Sequence, residues 1–220
     1  MRNQSVDNMQ LAELLQNGII EMDLQVGNDL QVKLLDYVNL LQKWNKVYNL
    51  TAIRDPKQMV IHHLLDSLAI LPYIKAESWL DVGCGAGLPG LVLAIVRPDL
   101  QFTLLDSNTK KTSFVQQAII ELGLKNAQVF SSRVESFQTK IKFDGIISRA
   151  FTELGDFLTV TRHLISSQGY WLAMKGLPEQ ELLSVPDYCK VETVVTLNVP
   201  GLDAARSLVI ITPMESQQDD

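Results

Sequence analysis

The sequence predicts an α/β protein, a mostly parallel sheet with an antiparallel pair at one edge and a helical extension ahead of it. Three observations carry this. Short β-rich runs alternate with helical ones after Ser78, the pattern of repeated βα units. Four glycines, at 83, 85, 87 and 90, separate the first of those strands from the next helix. The first 75 residues, by contrast, show only helical periodicity.

In chain order, residues 9–20 are read as a helix. From Asn28 to Asn45 the apolar positions Leu30, Leu34, Tyr37, Val38, Leu41 and Trp44 recur at three and four residues, the stripe of an amphipathic helix. Trp44 and Tyr48 are assigned to packing. A further helix is expected over 56–71, with Asp55 as cap, Pro56 in its first turn and Pro72 as its stop. Strands are expected at 78–82, 101–105, 127–131, 143–148 and 169–174, with helices at 89–96, 109–122, 153–165 and 178–184. Two last β runs, 189–198 and 206–212, flank the Pro200-Gly201 turn. The division is therefore residues 1–75 as a helical extension packed on the main domain, 76–214 as that domain, and 215–220 as a disordered tail.

Composition narrows the classes further. The 220 residues are 46% hydrophobic and 20% charged, with a formal charge of −6, so disordered and collagen-like chains are excluded. The longest aliphatic run, Leu91 to Val96, is far short of the ~18 residues of a membrane span, and MRNQSVDNMQ has no signal pattern. A cytoplasmic protein with no membrane partner is expected. Cys84 and Cys189 lack metal-type spacing, which points to free thiols and no metal site. Oligomeric state is left open, with a monomer favoured. Residues 1–75 carry 7 basic and 8 acidic groups against 12 and 17 in 76–220, an acidic balance unlike that of proteins held to bare nucleic acid by charge alone.

Asp81-Val82-Gly83-Cys84-Gly85-Ala86-Gly87-Leu88-Pro89-Gly90 is the most informative segment. Glycines there let backbone approach a ligand closely and leave N–H groups facing it. Gly85, Gly87 and Gly90 satisfy G-x-G-x-x-G, and Asp106 stands 21 positions on, as a dinucleotide oxidoreductase of the NAD type would require. The turn nevertheless begins earlier, at Gly83, with the acid Asp81 inside the strand end. A D-x-G-x-G-x-G loop followed by an acid ending strand two resembles the S-adenosylmethionine loop of Rossmann-like methyltransferases, where Asp106 would accept the ribose hydroxyls. Asp106 also reads as a helix cap. Arg133, Val134 and Glu135 follow strand three, where such folds contact adenine.

Arg149 and Lys175 end strands four and five, the ligand-binding edge of an open α/β sheet. Both are candidates for holding a nucleotide or its phosphate, with surface ion pairs as the alternative. Phe151 is a candidate for stacking on an unstacked base or for the core. His62, His63 and Asp66 share a helix and are read as structural hydrogen-bonding groups, since no third metal ligand has suitable spacing.

Taken together, Trp44-Asn45 through Asn49-Leu50-Thr51-Ala52-Ile53-Arg54, His63, Asp66-Ser67-Leu68, Asp81 to Gly90, Leu104 to Ser107, Ser132 to Glu135, Ser148 to Phe151 and Lys175-Gly176 resemble the bacterial small-subunit rRNA guanine-7 methyltransferase family, RsmG or GidB. The resemblance implies a Rossmann-like class I methyltransferase that uses S-adenosyl-L-methionine to methylate ring nitrogen 7 of one guanine (position 527) in 16S rRNA, within the small subunit or an assembly intermediate. It also implies cofactor contacts at Gly83, Leu88, Val134, Glu135 and Arg149. Asp81, Gly85 and Asp106 join these on the loop pattern, and Arg133, Arg149, Lys175 and Phe151 form the RNA side. His62 departs from the arginine usual there. A non-catalytic RNA-binding assembly factor retaining the fold is a third reading.

The chemistry agrees with the residues. Nitrogen 7 has a lone pair and no proton, so methyl transfer needs positioning and no general base. Ser148-Arg149-Ala150-Phe151 is not the Asn/Asp-Pro-Pro-aromatic motif of many amine methylases, and neither cysteine is placed as the nucleophile that cytosine carbon methylation requires. Lys175 keeps ribose methylation open as a minor alternative.

Overall fold

The computed structural model describes residues 2–214, so the tail 215–220 lies outside the described residues. Helix α1 (Arg2–Glu21) is followed by α2 (Asn28–Tyr48). The α2 stripe buries Leu34, Tyr37, Val38 and Leu41, and the helix ends at Asn49 in the left-handed region (φ 50), a conformation that asparagine tolerates better than most residues. Tyr48 differs from expectation. It is 44% exposed, leaning on the half-buried Trp44 at 5.2 Å between ring centroids.

The segment expected as one helix over 56–71 is interrupted. Asp55 does cap it, its Oδ1 accepting from Gln58 N at 2.9 Å. Helix α3 (Pro56–Met59) then passes into a π-helical stretch, Val60–Leu65, before α4 (Asp66–Leu68), and Pro72 falls in a separate 3-10 turn, Leu71–Tyr73. A π turn carries an extra residue per turn and so changes which side chains face inward, a geometry frequent at functional sites. Here His63 and Asp66 are both buried.

Seven strands form the sheet: β1 (Ser78–Val82), β2 (Gln101–Asp106), β3 (Ala127–Ser131), β4 (Phe143–Arg149), β5 (Ile165–Lys175), β6 (Cys189–Thr196) and β7 (Ser207–Pro213), in the order β3-β2-β1-β4-β5-β7-β6. Pairing is parallel from β3 to β5 and antiparallel for β7 and β6. Helices α5 (Gly90–Val96), α6 (Thr109–Glu121) and α7 (Leu154–Thr161) lie in the crossovers. Two boundaries are corrected. Helix α7 stops at Thr161 rather than 165, because Ile165 already pairs with Phe143 across an irregularity in the β4–β5 ladder. The helix expected over 178–184 is only a 3-10 turn, Glu181–Ser184.

All seven residues of α5 are buried, which explains why its sequence, Gly-Leu-Val-Leu-Ala-Ile-Val, is apolar on every face. One apolar cluster joins Leu34, Tyr37 and Leu41 of α2 to Leu91 and Leu93 of α5, Phe114 of α6 and Phe102 of β2. Trp79 and Trp171 are fully buried, each stabilising the fold by about 3 kcal/mol relative to exposure. Strand order reverses between β1 and β4, and a crevice opens at the carboxyl ends of those strands.

Candidate active site

The glycine loop fills that crevice. Gly83 and Gly85 have φ values of 68 and 58, a region that costs other residues about 1–2 kcal/mol. Backbone and side chains fasten the loop from three sides. Asp106, ending β2, accepts from Gly85 N through Oδ2 and from Asn108 N through Oδ1, both at 2.8 Å. Asn108, not Asp106, caps α6, accepting from Lys110 and Lys111 N. Beneath the loop, Asp81 Oδ2 accepts from Gly90 N at 2.7 Å. From α2, Tyr37 donates its hydroxyl to Ala86 O at 2.8 Å, and burial pushes that phenol far up in pKa, so it stays a donor.

Asp81 is fully buried, and its Oδ1 has no partner among the described residues. Burial pushes its pKa up to about 7, although the Gly90 N–H and Arg149 pull the other way. His63 is opposite in sign. Its Nε2 lies 3.0 Å from Thr51 Oγ1, its Nδ1 is buried with no partner among the described residues, and burial together with Arg149 lowers its pKa to about 4. At neutral pH the imidazole is uncharged.

Three cavities surround the loop. The first, about 360 Å³, is walled by Gly83, Asp106, Arg133, Val134, Glu135 and Phe151. A second, about 190 Å³, runs along Thr51, His63, Gly85, Leu88 and Arg149. His62, Asp66, Lys175, Glu181 and Arg206 border the third, about 460 Å³. Ala150 lines all three. Its φ of 52 is strained for an alanine, and it turns the chain so that Arg149 faces one side and Phe151 the other.

Among the residues singled out in sequence, Asp106, Arg133, Val134, Glu135 and Phe151 come together in the first cavity, Gly85 and Leu88 in the second, and Lys175 in the third, while Gly83 and Arg149 bridge neighbours. Asp81 lines none of them. The four residues of the RNA side do not form one group, since Arg133 and Phe151 stand apart from Lys175. Both arginine and lysine are paired. Arg149 Nη1 donates to Asp66 Oδ2 and His62 O, and Lys175 Nζ donates to Glu181 Oε2 and Thr152 O.

Asp66 holds a second arginine, Arg206, through Oδ1 at 2.8 Å. Arg206, Glu181, Thr51 and Ala150 were not singled out. Thr51 and Ala150 lie in segments that carry the family resemblance, but nothing local marks Arg206 or Glu181. His62 Nε2 lies 3.0 Å from Gln58 Oε1. Among the described residues no group of three His, Cys, Asp or Glu could hold a metal, and no helix is long and apolar enough to cross a membrane.

The loop fits a ligand that runs along its backbone. Apart from Gly85 itself and its two chain neighbours, no atom of the described residues lies within 4 Å of where a Cβ on Gly85 would stand, so the second cavity opens directly onto main chain. The sheet order, the loop and the acid ending β2 define a class I methyltransferase dependent on S-adenosylmethionine. The N-methyltransferase NodS of Bradyrhizobium japonicum, determined with S-adenosyl-L-homocysteine, shares the fold at TM-score 0.57 and 13% identity over 80% of this chain and 98% of that one. Residues 30–209 match the family model described as rRNA small subunit methyltransferase G. Relatives named ribosomal RNA small subunit methyltransferase G are 52% identical in Neisseria meningitidis serogroup B, over 93% of this chain and 99% of that protein, and 50% identical in Laribacter hongkongensis, over 91% and 98%. This chain belongs to that family, and the oxidoreductase reading of the glycine loop is set aside.

Proposed function

We propose that the chain methylates ring nitrogen 7 of a guanine in 16S rRNA of the small ribosomal subunit, in the cytoplasm and as a single chain. The observation that carries this is the meeting of three cavities at Ala150, with Arg149 and His63 on the wall shared by the second and third. Asp106, Val134 and Glu135 would hold the adenosine part of S-adenosylmethionine, and Gly85 and Leu88 the methionine part. That cofactor supplies an electrophilic methyl group. The third cavity would receive the base, oriented by Arg149 and Lys175.

The junction suits an acceptor without a proton. The carboxylate paired with Arg149, Asp66, has both oxygens engaged by arginines, and His63, with a pKa near 4, is a weak base at neutral pH. Positioning is therefore the main contribution of these residues.

The test is transfer of labelled methyl from S-adenosylmethionine to small subunits, or to 16S rRNA, from a strain lacking the enzyme, with the product mapped by base and atom. Label as 7-methylguanosine supports the proposal. No incorporation by folded, cofactor-bound protein on any assembly state would move the reading to a non-catalytic RNA-binding factor.

A further inference from the structure

We propose that the Lys175–Glu181 pair reads the Watson–Crick edge of the target base and makes the third cavity selective for guanine. This deepens the function proposed above and rests on it.

Two carboxylates line that cavity. Asp66 is 1% exposed and spends one oxygen on each of two arginines. Glu181 is arranged differently. Its Oε2 accepts both Lys175 Nζ, at 2.5 Å, and Leu154 N, at 2.8 Å. Its Oε1 takes no hydrogen bond from the described residues, and the side chain is 27% exposed at the cavity wall. Lys175 Nζ, also bound to Thr152 O, therefore places an ammonium donor directly beside a carboxylate with spare acceptor capacity.

Guanine offers the complement in the same order: O6 accepts, while N1–H and the 2-amino group donate. Adenine offers a donor at N6 and an acceptor at N1, so the pair opposes it. Orientation agrees as well. The third cavity joins the cofactor side through His63, Arg149 and Ala150, whereas Lys175, Gly176 and Glu181 border the third cavity and neither of the other two. A purine entering with N7 toward the junction turns its Watson–Crick edge toward Lys175 and Glu181.

The reader is also held rigidly, as a selective site requires. Helix α7 has no capping side chain of its own at Glu153. It borrows two from the Glu181–Ser184 turn, with Leu154 N donating to Glu181 and Gly155 N donating to Ser184 Oγ at 3.1 Å.

The test compares small subunits reconstituted with 16S rRNA carrying either guanine or inosine at the target position. Inosine keeps N7, O6 and N1–H but lacks the 2-amino group. Wild-type enzyme should lose about tenfold or more in kcat/KM on inosine. Glu181→Gln, checked for cofactor binding, should be slow on guanine and no slower on inosine, because its amide oxygen is drawn to Leu154 and its amine faces the base. If Gln impairs folding, Glu181→Asp replaces it, keeping a carboxylate near Leu154 while drawing back from the cavity.

A purely structural role for Glu181 would slow both substrates by the same factor and preserve the inosine penalty, which overturns the proposal. So does wild-type enzyme that forms 7-methylguanosine normally and treats inosine equally well. Absence of 7-methylguanosine from wild-type enzyme on the guanine substrate is a separate result, which overturns the methylation reading itself and this inference with it.

Discussion

Asp66, on α4, and Arg149, at the end of β4, are joined by an ion pair of 2.8 Å between residues 83 positions apart, and the same carboxylate holds Arg206, the residue just before β7. One buried side chain thus ties the helical layer to two strands at the mouth of the third cavity. Asp66→Asn should cost about 2–4 kcal/mol, since it leaves two guanidinium groups, each partly open to water, without their anion. Urea unfolding should show a lower midpoint at an unchanged slope. An unaltered midpoint would mean the clamp contributes orientation alone.

Asp81 and His63 should oppose each other in acid. Asp81 rises from its ordinary 3.8 to about 7, so between those values the folded state binds the extra proton and stability falls as pH rises. His63 drops from 6.5 to about 4, so between those values the unfolded state binds it and stability rises with pH. In wild type the two nearly cancel between pH 4 and 6.5. Asp81→Asn should therefore steepen stability upward with pH relative to wild type, and His63→Gln should tilt it downward, each by at most about 1.4 kcal/mol per pH unit. Denaturant midpoints measured every half pH unit would show parallel curves if neither group titrates this way.

Ala150→Gly should stabilise the protein by about 1 kcal/mol, because glycine adopts the observed φ of 52 without strain. Thermal unfolding should move up by about 2–4 °C, while Ala150→Val should move it down. Equal melting of all three proteins would remove the strain from the account of the site.

Gly85→Ala separates ligand contact from folding. Space for the methyl group exists, and the left-handed φ limits the cost to about 1–2 kcal/mol. The added carbon points into the space assigned to the cofactor. Calorimetry should show at least tenfold weaker binding of S-adenosylmethionine, about 1.4 kcal/mol, with a modest loss of denaturant stability. Undiminished affinity would place the cofactor elsewhere.

Much of this was legible in the chain. Strand limits at 78–82 and 127–131 match the structure, because alternation and flanking turns are local signals. Asp106 and the glycines stood out for the same reason. The far end of the site did not. Glu181 meets Lys175 only because a short turn packs on α7, and Arg206 reaches Asp66 across 140 positions, pairings that periodicity does not report. The left-handed backbone of Ala150 gave no sign, since that conformation goes against alanine's own preference. The helix expected over 56–71 looked regular because a π turn has no residue signature of its own, and its shift of the inward face shows only in the packed structure.

The position of β7 has a temporal side. It enters the sheet between β5 and β6 although, among the described residues, it comes last in sequence, and Arg206 arrives with it. A chain interrupted before residue 206 would leave β5 with an open edge, Asp66 with one arginine and the third cavity missing part of its wall. The order of synthesis thus places completion of the third cavity after the glycine loop and its supports have already been made.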